Sequence, residues 1–183
     1  MCSPLNAVFD GPSQVRKMML WRSIGIAASL MAAAETSVRP PITSSGWGPV
    51  RIGMPPAEAI AATNGDLSAG KDESASDCYY LESSREPGLG FMILEGRVVV
   101  VDASERGLST PTGIRVGDSE ARVRQLYKGR FTVKAHAYVD YGHYFVVKTG
   151  DGTRAVVIET YDGKVQAIRG GELPAVMFVE GCS

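Results

Sequence analysis

Val50-Arg51-Ile52-Gly53 decides the predicted fold, because the chain repeats this stretch as Ile114-Arg115-Val116-Gly117. Each copy is followed by a short helix-like run, which ends at Asn64-Gly65 in the first case and at Lys128-Gly129 in the second. Gly53 and Gly117 are separated by 64 positions, as are Gly65 and Gly129. An internal repeat at a fixed spacing predicts two copies of one supersecondary unit.

Helix signals follow both motifs. Pro55-Pro56 suits a first helical turn, where the missing N–H of proline is not needed, and Asp118 is a favourable N-cap for the second helix. Turn pairs and alternating apolar residues predict antiparallel strands after each helix. The predicted strands are 77–82, 89–95, 97–103, 131–139, 142–149, 154–160, 163–169 and 174–180. The predicted fold class is α+β, a tandem repeat of a short helix packed on antiparallel strands with one open sheet face.

Two further alignments extend the repeat and assign side chains to faces. Cys78-Tyr79-Tyr80-Leu81 aligns with His143-Tyr144-Phe145-Val146, and Gly96-Arg97-Val98 aligns with Gly163-Lys164-Val165. Side chains alternate between the two faces of a sheet. The positions predicted to face the core are Tyr80, Phe145, Val147, Val165 and Ala167. The positions predicted to face outward are Tyr79, Tyr144, Val146, Lys148, Lys164 and Gln166.

The start of the chain is typical of a secretory signal peptide. Basic residues precede the apolar run at 24–34, and Ala32-Ala33-Ala34 forms a small-residue cleavage site before Glu35. A buried or anchoring helix is the alternative. We expect a periplasmic or secreted protein. Its predicted segments are 1–34 (upstream residues plus signal peptide), 35–47 (linker), 48–109 (first α+β repeat) and 110–183 (second α+β repeat).

Two cysteines follow the predicted cleavage site, Cys78 and Cys182. An even number of cysteines in an exported chain favours a disulfide, and two free buried thiols are the alternative.

The charge balance gives no indication of a nucleic-acid partner, since 19 basic and 20 acidic residues leave a formal net charge of −1. The second helix region carries a basic set, interpreted as a solvated face, with binding to anionic lipopolysaccharide or peptidoglycan as the alternative. This set is Arg115, Arg122, Arg124, Lys128 and Arg130.

Side chains with catalytic or metal-binding potential are few. His136, Asp140 and His143 are close in sequence, but the predicted strands separate the two histidines, and no fourth zinc ligand is apparent. We interpret them as one solvated histidine and one that fills a packing position. Ser44-Ser45-Gly46 lies in a linker and does not form a nucleophile elbow. We therefore predict no metal, no cofactor and no enzymatic activity.

Tyrosines cluster around the predicted strands, at Tyr79, Tyr138, Tyr141, Tyr144 and Tyr161. Tyrosine is enriched among the residues that contribute most to protein interfaces. The alternative is that these rings complete cross-strand packing. The predicted binding residues are Tyr79 and Tyr144 as anchors, with Tyr141, Lys148 and Gln166 beside them.

The motifs Val50-Arg51-Ile52-Gly53-Met54 and Ile114-Arg115-Val116-Gly117-Asp118, each followed by a helix and antiparallel hairpins, resemble the repeat unit of the β-lactamase inhibitor protein-like fold. The same unit occurs singly in small outer-membrane assembly lipoproteins. The resemblance implies a tandem α+β protein whose open sheet binds another macromolecule. This chain lacks the disulfide within each repeat and the lipobox cysteine, and a β-lactamase target does not follow from the fold.

The predicted function is that of an exported, non-enzymatic binding protein with an inhibitor-like role toward another envelope protein. The alternatives are a lectin-like module for carbohydrate or envelope polymer and a structural envelope protein with no discrete ligand.

Overall fold

The computed structural model describes residues 39–70 and 77–182. The predicted signal peptide and the first residues of the predicted linker lie outside the described residues. The strands are β1 (Gly46–Trp47), β2 (Val50–Arg51), β3 (Leu67–Ala69), β4 (Cys78–Ser83), β5 (Leu89–Leu94), β6 (Arg97–Ala103), β7 (Thr132–Ala135), β8 (His143–Lys148), β9 (Arg154–Tyr161) and β10 (Lys164–Glu172). The helices are α1 (Pro56–Ala62) and α2 (Glu120–Leu126).

Local sequence determines where the two helices begin. The first starts with proline at Pro56, and the second is capped by Ser119, whose hydroxyl accepts a hydrogen bond from the Arg122 N–H at 3.3 Å. The predicted N-cap Asp118 was wrong by one residue. Its carboxylate instead accepts a hydrogen bond from the Arg115 N–H at 2.9 Å and closes the turn that precedes the cap.

The repeated glycines have one structural role in both halves. Gly53 has a φ of 94° and donates its N–H to the Val98 carbonyl at 2.7 Å. The Val98 N–H in turn donates to the carbonyl of Met54, the residue after the glycine, at 2.9 Å. Gly117 has a φ of 91° and makes the same pair of bonds with Val165, both at 2.8 Å. Each motif therefore attaches the start of a helix to a strand of the sheet beneath it.

The long strands form one antiparallel sheet in the order β3-β4-β5-β6-β10-β9-β8-β7. The strands of residues 67–103 and those of residues 132–172 meet where β6 pairs with β10. The short strands β3 and β7 lie at the two edges. The predicted α+β class is confirmed.

The main core lies between the helices and the first face of the sheet. Ala59 of α1 and Val123 of α2 are fully buried there against sheet residues that include Phe91 and Phe145. Val147 and Val165 belong to this cluster, as predicted. Tyr144 and Val146 lie on the second face, also as predicted.

Ala167 does not face the core, because β10 contains a bulge at Gln166. The register shifts between Val165 and Ala167, so that Ile168 takes the next core position and Ala167 pairs with Glu159. A bulge adds one residue to a strand and reverses the alternation beyond it.

The C-terminal segment, residues 173–182, lies on the second face of the sheet. Its 3-10 turn Ala175–Met177 buries Ala175 and Val176 in a second cluster with Met92, Tyr144 and Val157. Both the predicted strand at 174–180 and the predicted open face were therefore wrong. Proline has no N–H for a strand ladder, so the chain leaves the sheet at Pro174 and packs its apolar residues onto the face.

Cys182 forms a disulfide with Cys78, which confirms the predicted pairing. The two Cα atoms are 5.3 Å apart, and the bond spans 104 residues of sequence. It attaches the end of the covering segment to the first strand of the β4–β5–β6 meander.

Candidate functional site

Tyr144 is not an exposed anchor, because the C-terminal segment covers it. Its side chain is only 3% exposed and packs in the second cluster with Val146, Val157 and Val176. Its hydroxyl is buried without a hydrogen-bond partner of good geometry. Burial and the nearby Glu159 carboxylate raise the pKa of this hydroxyl. The assignment to the second face was correct, but the assignment to solvent was not.

Tyr79 and Tyr80 exchange the faces that were predicted for them. Tyr79 packs against the main core, and Tyr80 packs against the second cluster. The sequence alignment of this strand used an offset of 65, whereas the offset of 64 from the glycine motifs matches Tyr80 to Tyr144 and Leu81 to Phe145. Leu81 and Phe145 are both fully buried in the main core. One residue of slip transfers every side chain of a strand to the other face.

Lys148 and Gln166 are not brought together. Lys148 is exposed and pairs with Ala155 at the start of β9. Gln166 lies in the bulge of β10, opposite Glu159 and Thr160 near the end of β9. Its side chain donates to the Tyr161 carbonyl at 3.2 Å. The positions are about 16 Å apart along β9, at 3.3 Å per residue.

Tyr141 is exposed, as predicted, and we group it with four other exposed side chains of the second half under the name tyrosine patch. Its members are Tyr138, Tyr141, Tyr161, Phe178 and Val179, whose exposed fractions are 67%, 84%, 36%, 39% and 40%. Tyr138 and Tyr141 stand on the loop at 136–142 between β7 and β8. The Tyr138 hydroxyl donates a hydrogen bond to Glu180, so the loop and the C-terminal segment meet at this surface.

His136 supports the patch from below. Its imidazole stacks on the Tyr144 ring with centroids 4.7 Å apart, and it meets the rings of Tyr138 and Tyr161 edge-on at 6.4 and 6.2 Å. Its Nδ1 accepts the Tyr138 N–H at 3.1 Å, so its Nε2 carries the proton toward the Glu159 carboxylate at 3.1 Å. Its side chain is 6% exposed, so the expected solvated histidine is not found at this position.

His143 lies on the helix side of the sheet. Its Nδ1 is 2.9 Å from the Glu120 carboxylate of α2, and its ring meets Phe145 edge-on. The two histidines therefore serve opposite faces. Within residues 39–70 and 77–182, no group of three or more His, Cys, Asp or Glu side chains could hold a metal ion.

The basic set around α2 is exposed and makes local contacts. Arg122 pairs with Asp118 at 3.3 Å, and Arg124 pairs with Glu120 at 2.6 Å while its guanidinium lies 4.8 Å from the centre of the Phe145 ring. In the described part of the chain, no helix is long and apolar enough to cross a membrane.

Arg169 is a buried cation that the sequence analysis missed. It donates to the Glu159 carboxylate at 2.9 Å and to the Phe178 carbonyl at 2.7 Å. It is 7% exposed, and its guanidinium lies 5.8 Å from the centre of the Tyr144 ring. Arg169 thereby fixes the backbone of the C-terminal segment at the patch.

Asp102 is a partly buried charge that the sequence analysis missed, although it directly follows the four valines of β6 and could have been noticed there. Burial raises the pKa of its carboxyl to about 6, with a further contribution from Glu159, while Arg169 acts in the opposite direction. A carboxyl with a raised pKa at the edge of a cleft is a common feature of binding and catalytic sites.

Asp102 lines a cleft of about 310 Å³ on the second face of the first half. The other lining residues are Tyr80, Glu82, Ser83, Gly88, Leu89, Gly90 and Ser104. The cleft and the tyrosine patch are two separate candidate sites, one at each half of the sheet.

The chain matches no protein-family model, and no curated protein matches it. The solved structures that are similar to it include the following two. One is the uncharacterized protein yfeY from Escherichia coli, at 14% identity and a TM-score of 0.49 over 72% of this chain and 99% of that chain. The other is an extracellular protein containing an SCP domain from Bacillus anthracis str. Ames, at 10% identity and a TM-score of 0.42 over 69% of this chain and 45% of that chain.

Proposed function

We propose that this chain is an exported, non-enzymatic binding protein that contacts another envelope protein through the tyrosine patch. The observation that carries the proposal is the concentration of exposed large apolar side chains. In the described part of the chain they are Val133 and the five members of the patch, all in the second half. Exposed aromatic rings in one place mark an interaction surface more often than scattered apolar residues do.

The arrangement of the patch supports a protein partner. The Tyr138 side chain is held by its hydrogen bond to Glu180, and the backbone of Phe178 is held by Arg169, which donates to the Phe178 carbonyl. A pre-positioned aromatic side chain loses little conformational entropy on binding. Beside the patch, the edge strand β7 is exposed along its whole length, which gives a partner backbone groups to pair with.

Export is supported by the signal-like N-terminal sequence and by the disulfide. Disulfides persist in oxidising compartments and are rare in the cytosol. The absence of catalysis is supported by the positions of the histidines, since each is hydrogen-bonded to a glutamate and neither contacts a serine or cysteine nucleophile among the described residues.

The tandem repeat and its resemblance to the β-lactamase inhibitor protein-like fold belong to the same proposal. The matching glycine contacts with Val98 and Val165 support it, as does the strand order, in which two four-stranded meanders meet at β6 and β10. In an inhibitor-like role, the target enzyme would bind the tyrosine patch and not the second face of the sheet, which the C-terminal segment covers.

A carbohydrate ligand is the second candidate. Tyr141 is 84% exposed, and an exposed tyrosine ring can stack on the apolar face of a sugar. A glycan array distinguishes the two candidates, because a protein-binding patch gives no hits above background.

The proposal is tested by recovering binding partners from a native cell-envelope extract with the oxidised protein and with its Tyr141→Ala variant. We expect one stoichiometric protein that the variant fails to recover. Glu58→Gln on the exposed face of α1 is the matched control and retains the partner. Equal recovery by all three proteins would contradict the proposal.

A further inference from the structure

The cleft at Asp102 has a geometry that the proposed function does not use. Strand register places Glu82 opposite Gly90 and Gly90 opposite Asp102, so the three positions form one row across β4, β5 and β6. Neighbouring strands are about 4.8 Å apart, which separates the two acidic positions by about 10 Å. Gly90 contributes no side chain to the row between the two carboxylates.

An aromatic side chain forms one wall of this cleft. Tyr80 lies close over Gly90, since a Cβ atom at that glycine would be 3.3 Å from the tyrosine ring. The Tyr80 hydroxyl is 3.6 Å from the Met92 sulfur, and Gly181 of the C-terminal segment packs against the same hydroxyl. The ring is therefore held in position at the cleft before any ligand arrives.

Asp102 is a partly buried carboxylate without an ion-pair partner among the described residues. Arg169 lies opposite it on β10, but the guanidinium of Arg169 binds Glu159 and the Phe178 carbonyl instead. Ionising a buried carboxylate is costly unless a cation compensates for the lost hydration. Within residues 39–70 and 77–182, no cationic side chain forms a direct ion pair with Asp102.

The size and lining of the cleft select the class of ligand. A volume of about 310 Å³ exceeds that of a bare metal ion and is at the lower end of small-molecule pockets, which start at about 300 Å³. Two carboxylates attract positive charge, and a tyrosine ring attracts organic cations through its π face. We propose that this cleft binds an alkylammonium or guanidinium group between Tyr80, Glu82 and Asp102.

The test is a calorimetric titration of the oxidised protein with n-butylguanidinium at about pH 7.5, compared with n-butylurea, its neutral isostere. We expect saturable binding of the cation and none of the urea. Amide signals of Glu82, Gly90 and Ser104 in a nitrogen-15 spectrum should shift with the cation. Unsaturable binding, or equal binding of the urea, would overturn the proposal.

Variants connect the binding to the cleft. Asp102→Asn should weaken the cation by about tenfold or more, which is the loss of one charge-assisted contact. Glu82→Gln, at an exposed position with no folding risk, should weaken it several-fold, and Glu58→Gln on α1 should leave it unchanged. The proposal fails if Asp102→Asn and Glu82→Gln both bind as the unaltered protein does.

The pH dependence is a second readout. Glu82, Tyr80, Glu159 and Arg169 surround Asp102, and its carboxyl titrates at about 6 in the free protein. Affinity should therefore fall as the pH is lowered through that value, and an unchanged affinity would count against a role for Asp102. Tyr141→Ala should leave this binding intact, because Tyr141 does not line the cleft. The proposal for the cleft and the proposal for the tyrosine patch are therefore tested separately.

The cation has two natural sources, a free amine or a basic side chain of a polypeptide. N-acetyl-arginine methylamide separates them. If N-acetyl-arginine methylamide binds more tightly than n-butylguanidinium, the ligand of the cleft is a basic side chain of a polypeptide. If it binds more weakly, the ligand is a small free cation.

Discussion

The Tyr138 hydroxyl donates a hydrogen bond to the Glu180 carboxylate across 42 residues of sequence. This contact raises the pKa of the Tyr138 hydroxyl, since the neighbouring carboxylate disfavours the phenolate. It joins the loop between β7 and β8 to the C-terminal segment. The same segment is held by Arg169 at Phe178 and by the disulfide at Cys182. Two of the three segments that form the tyrosine patch, the loop and the C-terminal segment, are consequently fixed to each other, and the third is the end of β9 at Tyr161.

Tyr144 should contribute to stability and not directly to binding. Tyr144→Ala removes a buried ring and should lower the free energy of unfolding by about 3 to 5 kcal/mol. Tyr144→Phe removes only a hydroxyl that lacks a good partner, so its stability should stay within about 1 kcal/mol of the unaltered protein. Urea denaturation measures both. A nearly neutral alanine variant would contradict the burial of Tyr144.

The disulfide should hold the C-terminal segment on the sheet. The double variant Cys78→Ser with Cys182→Ser should lose about 2 to 5 kcal/mol of unfolding free energy, because the unfolded chain regains the freedom of a long loop. Hydrogen exchange should accelerate at residues 175–177 and at Tyr144 more than at Phe91 in the main core. Uniform acceleration, or none, would show that the segment does not depend on the bond.

Asp102 should destabilise the fold at neutral pH. Its folded-state pKa of about 6 lies above the ordinary 3.8, so the folded state binds the proton more tightly and stability falls as pH rises between those values. Asp102→Asn should be more stable than the unaltered protein at pH 8, by roughly 1 to 3 kcal/mol. Below about pH 3 the difference should disappear, because Asp102 is then protonated in both states.

Asp151 provides a control of opposite sign for this pH series. Hydrogen bonds from Thr149 and Thr153 lower its pKa to about 2, so its contribution to stability is present above the ordinary 3.8 and is lost as pH falls toward 2. Asp151→Asn should therefore be less stable than the unaltered protein at pH 8. If both asparagine variants changed stability in the same direction, the account of Asp102 would be wrong.

The two motif glycines should respond alike to substitution. A Cβ at Gly53 would meet nothing within 4 Å, and one at Gly117 would meet only the end of the Arg106 side chain at 3.3 Å. The cost of alanine is then the positive φ alone, about 1 to 2 kcal/mol at each site. Gly150→Ala, where φ is not positive and no atom lies within 4 Å, should be nearly neutral. Unequal losses at Gly53 and Gly117 would weaken the tandem-repeat proposal.

The helix starts and hairpins could be predicted because their signals are local. Glu95-Gly96 and Asp162-Gly163 both adopt positive φ, as a two-residue hairpin turn requires. Alternation correctly placed Tyr144 and Phe145 on opposite faces. The face of Tyr79 was missed because two adjacent tyrosines match Tyr144 equally well, and only the offset of the glycine motifs distinguishes them.

What covers the second face could not be predicted from local patterns. Residues 175–180 are apolar enough for a strand. They pack on the second face of the sheet because they lie between Pro174, where the chain leaves β10, and Cys182, which is bonded to β4. Tyr144 became a core residue for that reason. Arg169 and Asp102 acquire their roles from cross-strand neighbours, since strand pairing brings together residues that are far apart in sequence.

The most direct measurement of the proposed function is photo-crosslinking in the producing cells. A photoreactive amino acid replaces Tyr141 in the patch or, as the control, Glu58 on α1, and both positions are exposed. We predict a single crosslinked envelope protein from position 141 and none from position 58. No crosslink at position 141, or the same products from both positions, would contradict a binding role for the tyrosine patch.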